Sequence, residues 1–79
     1  MVVKQIEILG TGCSKCRALE RSAREAVEHL HLEAEVVKVD RIEDIVRRGV
    51  LVTPALAVDG VVRSMGRALS ADDVRRLLE

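Results

Sequence analysis

Cys13 and Cys16 are the only two thiols in the chain, and Ser14 and Lys15 separate them. The thiolate is the reactive form of cysteine. A pair at this spacing can exchange with a disulfide or grip a soft metal. The pair opens a segment of helical periodicity, with Cys13 at about the N-cap and Cys16 one turn inside. Both sulfurs then lie on one side, within bonding reach. Unpaired backbone N–H groups and the positive end of the helix dipole point at Cys13 and lower its pKa. Cys16 shares a face with Leu19 and Ala23, so burial should keep its thiol protonated. Lys15 and Arg17 crowd the same end. Cations there oppose the dipole but favour a thiolate; they also read as part of a solvated face. As a stabilising staple the pair is poor, because a bridge would close a tiny loop. In a reducing compartment a lone Cys-x-x-Cys is catalytic or metal-binding rather than structural.

Other constellations fit less well. Cys16 and His29 have zinc-finger spacing, but His29 and His31 stand too close together. The continuous helix between them would also hold His29 roughly 20 Å from Cys16. The histidines then read as surface residues at a helix end. Haem attachment needs a histidine where Arg17 stands. Gly10-Thr11-Gly12 with Lys15 and Asp40 lacks the third glycine of a dinucleotide fingerprint. Small copper-transfer domains also place Cys-x-x-Cys before a first helix. They carry Met where this chain has Thr11, and their strand pair precedes the second helix. A soft-metal or metalloid carrier remains the alternative function.

The surrounding elements must position the pair. Val2 to Leu9 reads as an apolar strand covered on both faces, with Val2, Ile6 and Ile8 on one side and Val3 and Leu9 on the other. Gly10-Thr11-Gly12 ends it, letting the backbone turn tightly and leaving Cys13 uncovered. Ser14 to about Leu30 is a helix, with Cys16, Leu19, Ala23, Ala26, Val27 and Leu30 on one face. Ala34 to Val39 is a second strand. Asp40-x-x-Glu43 resembles a capping box, followed by Ile42, Ile45 and Val46, and Gly49 ends that short helix. Asp59-Gly60 is a strong hairpin signal between Ala55–Val58 and Val61–Ser64. Ser70-x-x-Asp73 caps a final helix, with Leu69 and Val74 as its hydrophobic staple. The order β-α-β-α-β-β-α implies an α/β fold. Its four-stranded mixed sheet runs second, first, third, fourth strand, with helices on both faces.

Composition narrows the function classes. The 79 residues suffice for a single domain spanning 1–79. Lys plus Arg and Asp plus Glu both number 13, and Trp, Tyr and Phe are absent, so a phosphate-tracking or base-stacking nucleic-acid surface is not expected. Apolar residues at 48% are too many for disorder. The N-terminal apolar runs are too short for a signal-peptide core, and the stretch from Gly49 to Val58 is about half a membrane span. A soluble cytoplasmic protein with no membrane contact is expected.

Gly12-Cys13-x-x-Cys16 between strand and helix, Thr53-Pro54 about forty residues later, the hairpin, Gly66 and the closing helix together resemble the thioredoxin superfamily. The chain is most similar to its minimal thioredoxin/glutaredoxin-like redox-active disulfide proteins of archaea and bacteria. The resemblance covers essentially the whole chain and implies a thioredoxin-like fold. It implies that Cys13 attacks and Cys16 resolves, and that Pro54 is cis and lies beside the disulfide. It implies that Thr53 pairs with an extended substrate through its backbone, and that Gly66 lines the same groove as Gly12. The chain departs from typical thioredoxins in having Gly12 where they have Trp, and Ser14-Lys15 where they have Gly-Pro. Met65-Gly66-Arg67 is a poor match to the Gly-Gly-Asp with which glutaredoxins hold glutathione. The implied activity is thiol–disulfide oxidoreductase without a cofactor. The implied partners are a disulfide-containing protein substrate and an electron-donating reductase, with the chain a monomer.

Overall fold

The structure is a computed structural model, and it describes residues 4–79. Strand β1 (Lys4–Leu9) leads into helix α1 (Ser14–His29), then β2 (Ala34–Val39) and the short α2 (Ile42–Arg47). The hairpin β3 (Ala55–Val58) and β4 (Val61–Met65) follows, and α3 (Ala71–Leu78) closes the chain. The strands form one sheet in the order β2-β1-β3-β4. β1 runs parallel to β2 and antiparallel to β3, and β3 and β4 are antiparallel. This is the mixed sheet expected from the sequence; Val2 and Val3, assigned there to the first strand, lie outside the described residues.

Strand alternation divides the core in two. Ile6 and Ile8 of β1 face α1 and α3, meeting Leu19, Ala23, Val74 and Leu78. Leu9 faces the other way, toward Ile45 of α2 with Val50, Ala55 and Ala57. Central strand β3 is buried along its whole length. Edge β4 alternates between exposed and half-buried, and edge β2 mixes the two. A bulge interrupts the β3–β4 register between Leu56 and Ala57, a common way to blunt an edge strand.

Local chemistry sets the boundaries. Asp59 (φ 51°) and Gly60 (φ 85°) are both left-handed, as a two-residue turn matching the strand twist requires. Ser70 accepts from the Asp73 N–H and the Asp73 carboxylate accepts from the Ser70 N–H, the reciprocal box expected there. The second expected box does not form. The N-cap of α2 is Arg41, with no side-chain cap bond. Of that helix only Ile45 is buried, while Ile42 (64%) and Val46 (63%) are exposed. With six residues, α2 has room for one inward position per turn, so its other apolar residues stay in water.

One charge enters the core. Glu7 sits between Ile6 and Ile8 and so faces the α2 side, where Arg48 donates to its Oε2. Its other oxygen, Oε1, has no hydrogen-bond partner among the described residues.

Candidate active site around the cysteine pair

β1 ends at Leu9, and residues 10–12 carry the chain to the start of α1. Cys13 is the N-cap of that helix, with extended backbone, and its sulfur accepts from the Cys16 N–H at 3.4 Å. A thiol at this position takes the role that a serine or aspartate oxygen usually plays. Gly12 has a φ of +88°, a conformation that side-chain-bearing residues rarely adopt. Its carbonyl accepts from Arg17 Nη1 at 2.9 Å, so the first turn of α1 holds the approach loop.

Both cysteines are free thiols, Cys13 exposed and Cys16 buried. Their sulfurs lie 2.8 Å apart. The Cys16 thiol, donating to Cys13, is the main cause that pulls the Cys13 pKa below the ordinary thiol value, and the Cys16 backbone N–H adds to it. Burial pushes Cys16 up, and its hydrogen bond to Cys13 pushes the same way. One sulfur is therefore accessible and acidic, and the other is shielded and holds its proton.

Gly10 makes that shielding possible. A Cβ there would collide with the Cys16 sulfur, and it would lie 3.8 Å from the Pro54 Cα. Gly10, Cys16 and Pro54 therefore form one close-packed layer. The Thr53–Pro54 bond is cis. The Pro54 carbonyl accepts from the Gly66 N–H at 2.7 Å. Gly66 also leaves space: a Cβ there would sit 2.8 Å from Val52 Cγ1. The residues from Val52 to Pro54 and Gly66 thus lie against each other, and Pro54 and Cys16 both approach Gly10. Thr53 is exposed, as are the apolar Leu51 and Val52 just before it and Met65, the strand partner of Ala55.

A small cleft of about 60 Å³ opens on the other side of Cys16, lined by Gly10, Gly12, Glu20, Lys38 and Asp40 among others. Asp40 and Glu43, read from the sequence as a capping box, are also carboxylates near this end of the sheet. Asp40 reaches this cleft, whereas Glu43 pairs with Arg41 on exposed α2 at 3.4 Å. Glu20, not singled out in the sequence, is held by Arg24 at 2.9 Å and Lys38 at 3.6 Å. The Arg24 hydrogen bond is the main cause that lowers its pKa. Among the described residues no group of three or more His, Cys, Asp or Glu is placed to hold a metal.

Sequence reasoning also passed over Glu7 and the spatial role of Gly10. Glu7 was detectable as a charge that alternation puts on the same face as Leu9. Gly10 looks like any turn glycine until the depth of Cys16 is known.

Residues 4–79 match the thioredoxin domain family model. The chain belongs to the thioredoxin domain family. A thioredoxin of Methanothermobacter thermautotrophicus is 42% identical over 74 residues, covering 94% of this chain and 96% of that protein. A thioredoxin of Methanocaldococcus jannaschii is 37% identical over 78 residues, covering 99% of this chain and 90% of that one. Family membership, these relatives and the Cys13-x-x-Cys16 pair make the chain a thiol–disulfide oxidoreductase. Thioredoxins generally act on disulfide-containing protein substrates and are reduced in turn by a reductase. Among the described residues, no helix is long and apolar enough to cross a membrane.

Proposed function

We propose that Cys13 is the attacking thiol and Cys16 the resolving one, in a single-domain, monomeric, cytoplasmic reductant of protein disulfides. The Cys13 thiolate attacks one sulfur of the substrate disulfide. A Cys13–substrate bond forms, the substrate disulfide breaks, and the departing sulfur leaves as thiolate and takes up a proton. Cys16 then loses its proton through the cleft that Asp40 and Glu20 line. Its thiolate attacks the Cys13 sulfur, and the second substrate sulfur leaves as thiolate. Two electrons have passed to the substrate, and Cys13 and Cys16 are left as an internal disulfide. A dithiol or other two-electron donor on a partner reductase restores the pair.

The observation that carries this assignment of roles is the asymmetry of the two sulfurs: Cys13 exposed with a lowered pKa, Cys16 buried with a raised one. Gly12, Thr53, Pro54 and Gly66 form the substrate groove in this reading. Exposed Thr53 offers its backbone to an extended substrate segment, as in strand addition. The hydrogen bond from Gly66 to Pro54 supports that role by holding the loop beside Cys16.

The test is a comparison of serine variants on a disulfide-bonded protein. Cys13→Ser should give no reduction and no adduct. Cys16→Ser should attack once and accumulate a mixed disulfide, visible as a mass increase that dithiothreitol removes. An adduct on Cys16 in the Cys13→Ser protein, with none in Cys16→Ser, would reverse the assignment.

A further inference from the structure

The charge pattern of α1 contradicts what would stabilise it. Acidic side chains favour the first turn of a helix and basic ones the last. α2 follows the rule, with Glu43 and Asp44 first and Arg47 last. So does α3, with Asp72 and Asp73 first and Arg75 and Arg76 last. α1 has no acidic residue in its first turn and only His29 as a basic residue in its last. Its cysteine end carries Lys15, Arg17, Arg21 and Arg24 against the single Glu20, while Glu25 and Glu28 follow toward the far end. Lys15 and Arg17 at the start oppose the dipole, whereas Arg21 and Arg24 lie beyond its reach, so a requirement other than helix stability suits the first two.

The acidity of Cys13 has other leading causes. Hydrogen bonds from Cys16 and nearby backbone N–H groups lower that thiol, and the charges of Lys15 and Arg17 are not among the causes. The cations instead make a continuous surface. Arg17, Arg21 and Arg24 border a shallow groove of about 490 Å³ with Ser14 and Glu20. Lys38 reaches Glu20 from the neighbouring β2, so two elements contribute. Two carboxylates stand among them: Glu20, shared by Arg24 and Lys38, and Asp40, which lines the neighbouring cleft with Arg17 and Lys38. Among the described residues Arg21 has no carboxylate partner, and Arg17 bonds a backbone carbonyl rather than an acid. A protein of zero net charge has concentrated positive charge beside its exposed thiol.

We propose that this flank of α1, formed by Arg17, Arg21 and Arg24 with Lys38, is a docking surface for an acidic protein partner whose disulfide it presents to Cys13. The inference rests on the reading of Cys13 as the attacking thiol. Dimensions select a protein over a small disulfide. At 1.5 Å per residue, Arg17, Arg21 and Arg24 stand about 6, 12 and 16 Å along the axis from Cys13. A small disulfide held at Cys13 cannot span that distance, but a folded partner with carboxylates flanking its own disulfide can. Complementary charge of this kind acts mainly on the encounter rate and is screened by salt.

The experiment compares two synthetic peptides of equal length, each with one internal disulfide, one rich in glutamate and one in lysine. Hydroxyethyl disulfide controls for the chemistry of the wild-type protein. At about 20 mM salt the glutamate peptide should be reduced about tenfold faster, and at about 300 mM the ratio should fall below about twofold. Arg21→Glu should reverse the preference at low salt. Equal rates for the two peptides at low salt, or a ratio that Arg21→Glu leaves untouched, would overturn the proposal. A second measurement separates docking from chemistry: amide chemical shifts of the Cys13→Ser protein titrated with the glutamate peptide. Shifts at Arg17, Arg21 and Arg24 sustain the surface even if no disulfide is reduced, in which case the attacking role of Cys13 fails instead. No shifts there, or equal shifts with a short RNA, would remove the acidic-protein assignment.

Discussion

The chemistry of the pair is set by which sulfur donates to which. Cys16 holds its proton because it is buried, and that proton is the main support of the Cys13 thiolate. Replacing Cys16 by alanine removes the donor. The midpoint of the pH–rate profile for alkylation of Cys13 should then rise toward the ordinary thiol value, so less of it reacts at mildly acidic pH. An unchanged midpoint would mean that the helix end alone sets the acidity. Gly10 carries a second expectation. Gly10→Ala would drive its methyl group into the Cys16 sulfur, so the Cys16 side chain must shift from its place beside Cys13. Release of the mixed disulfide should slow, while the first attack by Cys13 is affected less; stopped-flow kinetics on a protein disulfide separates the two steps. At this scale the candidate site was legible in part. Cys13 and Cys16 declare themselves by type and spacing, and the dipole argument points to the more acidic one. Pro54, Thr53 and Gly66 carried no local signal of their own and were reached through the family resemblance. Gly10 was read as a turn residue, because the volume it leaves empty belongs to a side chain six positions away.

All seven elements were legible in the sequence, and what tertiary contacts decide within them was not. α3 begins where Ser70 and Asp73 can satisfy each other's N–H groups. α2 shows the opposite. Asp40, Glu43, Ile42 and Val46 have the types of a capped amphipathic helix, yet the helix starts one residue later and buries only Ile45. The position of α2 owes more to Val50, packed beside Ile45, and to the bond between Arg48 and Glu7. The two boxes therefore predict different outcomes. Ser70→Ala should cost about 0.5–2 kcal/mol in urea unfolding, whereas Asp40→Ala should stay within about 0.5 kcal/mol of wild type. The Asp73 pKa is lowered, chiefly by the Ser70 backbone N–H. Its folded value lies below its unfolded one, so its contribution is complete above the ordinary aspartate range and is lost as pH falls through the folded value. The difference between wild type and Asp73→Asn should shrink on acidification. A difference independent of pH would locate the effect in packing rather than in the carboxylate.

At the scale of the whole molecule the sheet order followed from two facts. A parallel β-α-β unit crosses right-handed, and a tight hairpin keeps its strands adjacent. Those rules, with the Asp59-Gly60 turn after the second helix, leave β1 and β3 in the centre. Which core positions carry the stability is a separate matter, because periodicity marks a face but not its depth. Without a single aromatic residue, the larger of the two core layers depends on aliphatic side chains from four elements meeting on Ile6 and Ile8. Leu19 is fully buried in that layer, facing the sheet from the helix that carries both cysteines. A chain of this length is stable by about 4–12 kcal/mol. Leu19→Ala, at about 2–5 kcal/mol, removes a large share of that. Val46 has comparable apolar character but is mostly exposed, so Val46→Ala should fall within about 0.5 kcal/mol of wild type. Far-UV circular dichroism in urea is the suitable measure, since no tryptophan reports on the transition. Leu19→Ala should lower the midpoint strongly and loosen the seat of Cys16, one helical turn away on the same face. Cys16 should then become accessible to alkylation at urea concentrations that leave the wild type closed. If Leu19→Ala unfolds earlier but Cys16 stays protected until the global transition, the active-site end of α1 is held by Gly10 and Pro54 rather than by the helix core.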